Sequence, residues 1–472
     1  MLANDRARWL NFLSCITLAL LVGSPKPGLA QAQSPFAGSV PTGQATGTTL
    51  DLSLHDAFER ALKYNLGVIE SSENTRAARA VRLRGLNALL PDLTAKVATS
   101  VQQIDLKTLG FNLSIPGVSI SPIVGPFAVQ DARAYVSQEI FNWSDIRNWK
   151  SSAEFEKASQ YTYKSDRDLV IFTAGNAYLL VISDSATVDS ITAQVKTAQT
   201  LYRQSVDQNK EGVIASIDVL RARVELQIQQ QRLIAAVNQK AIDKLTLARI
   251  IGLPNGQEFQ LSDSVPYAPL EGVTLDQALQ QAYVTRPDYL AAKSQVRAAE
   301  LSRSAAAAEN YPSLSTAANY GDIGSPNFAT SHGTFAFDVG LNIPIFQGSR
   351  VRADKLQADS ALQQRKAELA DLGGKIDDQV RTAFYNLKSS SDLVAVAQSN
   401  IELANQTLAQ ARDRFAAGVA DNLEVVQAQE SVAQANQTYI ASLYSFNLAK
   451  ISLAQALGVA EQSALHFLLG GK

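Results

Sequence analysis

The chain has 472 residues, 46% of them hydrophobic, and a formal charge of −2 from 42 basic and 44 acidic side chains. This balance excludes a disordered chain and a helical membrane protein of many spans, and it gives nucleic acid no basic footprint. One cysteine (Cys15) and three scattered histidines (His55, His332, His466) exclude a disulfide framework and give no metal-ligand spacing, so neither cofactor nor metal is expected.

In chain order, Arg6 and Arg8 precede an apolar run, Trp9–Val22, and Ala30-Gln31-Ala32 follows. A basic start, a short apolar run and a small-residue triplet make residues 1–32 an expected signal peptide. The alternative is a membrane anchor, for which the run is short against the roughly 20 residues of a spanning helix. Cys15 comes too early, after Phe12-Leu13-Ser14, to suit a lipid anchor. No later run of 18 apolar residues exists, so any span beyond residue 32 is expected to be β. Residues 33–49, rich in Pro, Gly, Ser and Thr, are expected to form a flexible leader.

From residue 50 the chain is written twice. Leu52–Leu62 pairs with Val273–Tyr283 at an offset of 221, which also carries Ala77 onto Ala298 and Pro91 onto Pro312. Ile140-Phe141 matches Ile345-Phe346 at an offset of 205. From Ala177/Ala383 the offset is 206, carrying Leu247-Ala248 onto Leu453-Ala454 and Gly252 onto Gly458. The expected units are residues 50–265 and 266–472, each in the order helix, strand, strand, long helix, tip, return helix. The first copy is longer between Pro91 and Phe141, where Leu109–Phe127 reads as a long loop.

Strands are expected around Leu93–Gln103, Ala132–Phe141, Leu314–Tyr320 and Thr334–Phe346. In the last, Phe335, Phe337, Val339, Leu341, Ile343 and Ile345 alternate with Thr334, Ala336, Asp338, Gly340, Asn342 and Pro344. Period-two alternation makes one apolar and one polar face. Ala132–Phe141 alternates less cleanly, with Gln138 on the apolar side. Four strands cannot close on themselves, and lipid tolerates no open edge, so if the apolar face meets lipid several chains must share one barrel. Phe141 and Trp143 stand at the switch from strand to helix, as interfacial aromatics would.

The long helix of copy two is expected from about Ser349 to Phe415. Val380, Leu387, Val394, Ile401, Leu408 and Phe415 recur every seven residues, with Ala383, Ser390, Ala397, Ala404 and Ala411 three further on. This is a coiled-coil seam with close backbones. Copy one repeats it through Ala174, Val181, Val188, Val195 and Tyr202, and the return helix through Val425, Val432, Tyr439, Phe446 and Leu453. About 65 residues at 1.5 Å each span about 100 Å, too long for a globular core. Gly373-Gly374 marks an expected bend, and the adjoining Asp377-Asp378 reads as a solvated pair rather than a catalytic one. With no G-x-S-x-G, no cysteine beyond residue 32 and no ligand cluster, no enzyme is expected.

The two tips, "EGVIASIDVLRARVEL" and "AGVADNLEVVQAQESV", and the strand-to-helix entry "IPIFQGSR" (Ile343–Arg350) complete a pattern over residues 50–460. It resembles the TolC family of outer membrane efflux proteins, with their G-[VL]-x-x-x-x-D-V-x-x-A tip frame. The resemblance implies a mainly α fold with a β-barrel portion: a tandem-repeat protomer with long coiled-coil helices and four transmembrane strands. It further implies a homotrimer forming a 12-strand β-barrel in outer-membrane lipid and a 12-helix α-barrel across the periplasm. Such a tunnel would be a passive exit duct for small compounds or secreted protein. It would dock a periplasmic membrane-fusion adaptor and an inner-membrane pump of RND or ABC type.

On the same resemblance, Gly212, Val213 and Ile214 and their counterparts Gly418, Val419 and Ala420 would form the tip turns and the adaptor-docking surface, the two glycines permitting φ > 0. Asp218, Glu424 and Gln427 would line the periplasmic aperture; the plainer reading of the two acids is a favourable place at a helix N-terminus. Gln427 stands where some members have a second acid. Phe415 and Ala420 stand where the best-known members have a Tyr and an Arg that latch the closed state. A soluble periplasmic coiled-coil adaptor or rod is the alternative; it explains the helices and the export signal but not Phe335–Ile345. Efflux of small amphiphilic compounds is favoured as the commonest use in the family, and the scarcity of Met and His disfavours a copper exporter built on soft ligands.

Overall fold

The computed structural model describes residues 34–108, 110, 121–265, 267–269, 272, 274–325, 329–417, 419 and 422–469. The expected signal peptide, residues 111–120 of the expected loop, and the tip residues Gly418 and Ala420 lie outside the described residues.

The first copy runs β1 (Leu50–Leu52), α1 (Leu54–Tyr64), α2 (Leu66–Asn87), β2 (Asp92–Asp105), β3 (Ile123–Phe141), α3 (Trp143–Lys210) and α4 (Ser216–Ile250). β4 (Phe259–Leu261) closes the first copy, and the second runs α5 (Leu275–Thr285), α6 (Pro287–Ala308), β5 (Ser313–Gly324), β6 (Ser331–Asn342), α7 (Arg350–Ala416), α8 (Asn422–Ala456) and the closing α9 (Ala460–Leu469). Matching helices have 11 and 11, 22 and 22, 68 and 67, and 35 and 35 residues. The chemistry of their ends is duplicated too. Ser53 with Asp56, and Thr274 with Gln277, form capping boxes on α1 and α5.

Four helix ends close by one bonding pattern. Val213 N–H donates to Gln208 O at 2.9 Å, Leu253 N–H to Ala248 O, Val419 N–H to Arg414 O, and Val459 N–H to Ala454 O, the last three each at 3.0 Å. This six-to-one bond is the signature of the Schellman motif.

The first helix of each copy, expected as one, is two. Asn65 is fully buried in an extended conformation; its Oδ1 accepts from Gly67 N–H, and its Nδ2 donates to Phe36 O and Ile250 O. In copy two the break falls at Arg286, which precedes Pro287 and is thereby pushed out of the helical region. The segment expected as a flexible leader is strapped down: Val40 N–H reaches Tyr64 O, Thr46 N–H reaches Gln257 Oε1, and β1 pairs in parallel with β4.

Part of each heptad seam is core, while Val188, Val195, Ile401 and Tyr439 are only half-buried in the single chain. Val380, Ala383, Leu387, Val394, Phe446 and Leu453 are buried in one cluster, and Ala174, Tyr178, Val181, Leu247 and Ile451 in another. Near the tips Leu201, Leu408, Val425 and Ala428 join the two hairpins. By packing, the helices stand in the row α4, α3, α8, α7. α7 passes through Gly373-Gly374 as continuous helix, with Tyr283 donating to Gly373 O at 3.0 Å. α3 is long and apolar enough by length and composition to cross a membrane, although Thr173, Asn176, Ser183 and Asp184 interrupt its apolar stretch, and 44% of its apolar window is buried in the protein.

The large sheet has the antiparallel order β2-β3-β5-β6. It departs from expectation at two ends. β3 starts at Ile123, so Ile123–Phe127, expected in a loop, is strand. β6 ends at Asn342, so Ile343 and Ile345, expected as lipid-facing strand residues, lie beyond the last pair, Ser313 with Asn342. Pro344 between them has no N–H to continue a ladder.

Candidate functional site

Register shows that the whole sheet is two-faced. Leu93, Val136, Ala318 and Phe337 lie in one row across the four strands, and Ala95, Ala134, Tyr320 and Phe335 in the next. Directly paired residues share a face. The face therefore carries Leu93, Val97 and Val101 on β2 and Phe335, Phe337, Val339 and Leu341 on β6, all exposed in the single chain, Phe335 to 81%. Gln138, paired with Thr316, and Asp322, paired with Ala132, interrupt it.

The opposite face holds the rows Asp92, Ser137, Ala317, Asp338 and Lys96, Arg133, Gly321, Thr334. An apolar band backed by a polar face is the pattern of a membrane barrel wall.

At the other end of the molecule the tips are built by the helix ends. Gly212, at φ 75°, turns the chain out of α3, and Asn209 Nδ2 holds Ile214 O at 2.8 Å. Val213 is 67% and Val419 69% exposed, with Ile217 and Leu423 exposed behind them. Both tips thus end in apolar knobs at repeat-equivalent places.

Asp218 lies in the first turn of α4, 3.2 Å from Arg221 of the same helix. Glu424, in the first turn of α8, sits 3.4 Å from Arg414 near the end of α7. The two acids are thus placed alike but tied differently, one within its helix and one across its hairpin. Gln427 is exposed, its carbonyl accepting from Ser431 Oγ at 3.0 Å. Sequence reading missed both arginines, although the three-residue spacing of Asp218 and Arg221 was available to it. Just above the tips a cleft of about 640 Å³ is lined by Gln204, Asp207 and Gln208 of α3, Arg412 and Phe415 of α7, and Gln429 of α8. Among the described residues no group of three or more His, Cys, Asp or Glu is placed to hold a metal ion.

The outer membrane efflux protein family model matches residues 59–253 and 278–459, one segment in each repeat. The toluene efflux pump outer membrane protein TtgC of Pseudomonas putida is 26% identical over 319 residues, 64% of this chain and 63% of TtgC, so the match reaches just under two thirds of that relative. Outer membrane protein TolC of Escherichia coli is 22% identical over 356 residues, 71% of this chain and 70% of TolC. The crystal structure of the Campylobacter jejuni CmeC outer membrane channel superposes with a TM-score of 0.74 at 16% identity, covering 90% of this chain and 92% of that one, which establishes a common fold. With both repeats matched and the fold shared, the chain belongs to the outer membrane efflux protein family.

Proposed function

We propose that three copies of the chain assemble into one conduit, a 12-strand barrel through the outer membrane continued by a 12-helix barrel in the periplasm. The observation that carries this reading is the two-faced four-stranded sheet with unpaired edges at β2 and β6. An apolar face in lipid requires that those edges be paired, and β6 of one chain beside β2 of the next would do so around a closed ring. The helices support the same closure. At the flanks of their row, α4 exposes Ile217, Leu220, Val224 and Leu245, and α7 exposes Tyr385, Leu393, Val396 and Leu403.

The conduit is a passive duct for small amphiphilic compounds, driven from an inner-membrane pump of RND or ABC type through a periplasmic membrane-fusion adaptor. Residues 50–265 and 266–472 are its duplicated units. The apolar knobs Val213 and Val419, with Gly212, Ile214, Gly418 and Ala420, are the adaptor-docking tips. Asp218, Glu424 and Gln427 face the aperture, with the Arg414–Glu424 pair holding one hairpin tip where the family's Tyr and Arg latch is missing.

Light scattering on the detergent-extracted protein, corrected for bound detergent, tests the assembly. About three chains per particle, found in the outer-membrane fraction, is the expected result. A monomer or dimer released without detergent would overturn it in favour of a soluble coiled-coil rod.

A further inference from the structure

On the polar face of the sheet, Lys96 of β2 stands directly opposite Arg133 of β3, and Gly321 of β5 stands opposite Arg133 on the other side. Like charges facing each other across an antiparallel pair destabilise it. Asp131, two residues before Arg133 and so on the same face, takes the guanidinium in a two-point grip: Nε donates to Oδ1 at 2.7 Å and Nη2 to Oδ2 at 2.5 Å. Nη1 of Arg133 also reaches Asn319 Oδ1 of β5 at 3.3 Å, and the guanidinium lies 5.3 Å from the centre of the Tyr135 ring. Gly321 makes the room for this, because a Cβ there would come within 2.9 Å of Arg133 Cγ and 2.1 Å of Ala132 O. Arg133 is therefore fastened across two strands. Lys96 is exposed and close enough for its charge to act on Asp131. Asp131 answers one of the two cations, leaving a surplus of one positive charge per chain at this level of the face, while Asp92 and Asp338 stand on the same face two rows nearer the helices. A pairing that breaks the local rule without a packing gain is where function is expected.

We propose that Lys96 and Arg133, with Asp131 as their shared counter-ion, form a charged collar on the inner wall of the barrel that favours anionic over cationic solutes at its own level of the exit duct. The collar rests on the trimeric-barrel reading, in which three copies surround one pore and the collar turns a surplus of three positive charges to its own level of the lumen. Charge on a wall backed by low dielectric acts strongly on ions in the water it encloses. Arg133 is the fixed member, held by Asp131, Asn319 and Tyr135; Lys96 is the member that faces solutes. Asp92 and Asp338 on the same wall, and the tip acids Asp218 and Glu424, would stand in series with it, with the opposite sign.

The test is ion selectivity of the assembled full-length channel in planar bilayers under a potassium chloride gradient, with Lys96→Cys in a Cys15→Ser background so that the thiol is unique. Loss of the lysine is expected to lower the chloride-to-potassium permeability ratio by about twofold. A methanethiosulfonate carrying an ammonium group should restore the ratio in the same channel, and one carrying a sulfonate should lower it further. Channels of ordinary conductance whose selectivity ignores both reagents, or a thiol that gains no mass from either, would overturn the collar and leave the conduit standing. Failure of the unsubstituted chain to form channels would instead overturn the conduit and the collar with it.

Discussion

Lys450 on α8 shows what duplication leaves behind when one copy loses a partner. Its counterpart Lys244 has Glu258 at 3.6 Å and the Phe259 ring at 4.7 Å. The position equivalent to Glu258 in the second copy is Ala464. Lys450 is 1% exposed and lies 4.8 Å from the centre of the Phe446 ring, and burial pushes its pKa down to about 8. The folded value is below the unfolded one of about 10.4, so folding disfavours the proton. Stability is therefore lowest below pH 8 and recovers as pH rises from 8 towards 10.4. Lys450→Met keeps the stem and removes the charge. It is expected to stabilise the protein at pH 7 by about 2 kcal/mol and to flatten the dependence above pH 8. Thermal melts across that range decide it, and a lower midpoint for the Met variant at pH 7 would refute the argument.

Between elements, α3 and α4 meet over a pair of acids. Asp184 of α3 is pushed up to about 6, first by burial and then by the neighbouring carboxyl of Asp243 on α4, while Lys240 acts in the opposite direction. Asp184 Oδ2 is buried with no hydrogen-bond donor beside it, and Gln239 Nε2 already holds Asp243 Oδ2 at 2.7 Å. Tyr444 of α8 faces the same pair but gives its proton to Asn176 Oδ1 at 2.6 Å. A proton shared between the two carboxyls supplies the missing donor. The folded pKa of Asp184 is above its unfolded value near 3.9, so this pairing stabilises at low pH and weakens as pH rises from about 4 through 6. Asp184→Asn donates at every pH. It should raise stability at pH 7 by about 1 kcal/mol and remove most of the slope between pH 4 and 6, as denaturant unfolding at several pH values would read. Persistence of the full slope would place its origin elsewhere. Nothing in the one-dimensional pattern disclosed this pair, because the two acids meet only once the hairpin has folded back. The seams were legible for the opposite reason: a seven-residue period depends on local geometry alone, and Val380, Leu387 and Val394 are buried as that period requires. The break at Asn65 was hidden because its side chain is held by Phe36 and Ile250, far away in sequence. The start of β3 was hidden because Gly125-Pro126 reads as a turn. At the tips, the two acids were legible by position, but the partner of Glu424 was not, since Arg414 reaches it across the turn.

At the scale of the whole molecule, the single chain is finished in its middle and unfinished at both flanks. Strand edges β2 and β6, and the outer faces of α4 and α7, are different surfaces, so the contact they imply is head to tail, and such a contact must close into a ring or grow without limit. On the proposed trimer, a sheet of four twisted strands repeated three times would close a barrel of ordinary size, and the helices beneath it would close at the same number. Val396, 58% exposed, lies with Leu393 and Leu403 on the outer face of α7. Inside its own chain a polar residue there would be harmless. At a subunit contact, a carboxylate would lose its water without gaining a partner. Val396→Asp is therefore expected to leave helix content unchanged by circular dichroism while shifting the particle from three chains towards one, and Val396→Leu should keep three. If the Asp variant stays trimeric with an unaltered melting midpoint, the α7 flank is not where chains meet, and closure would have to be carried by the strand edges alone.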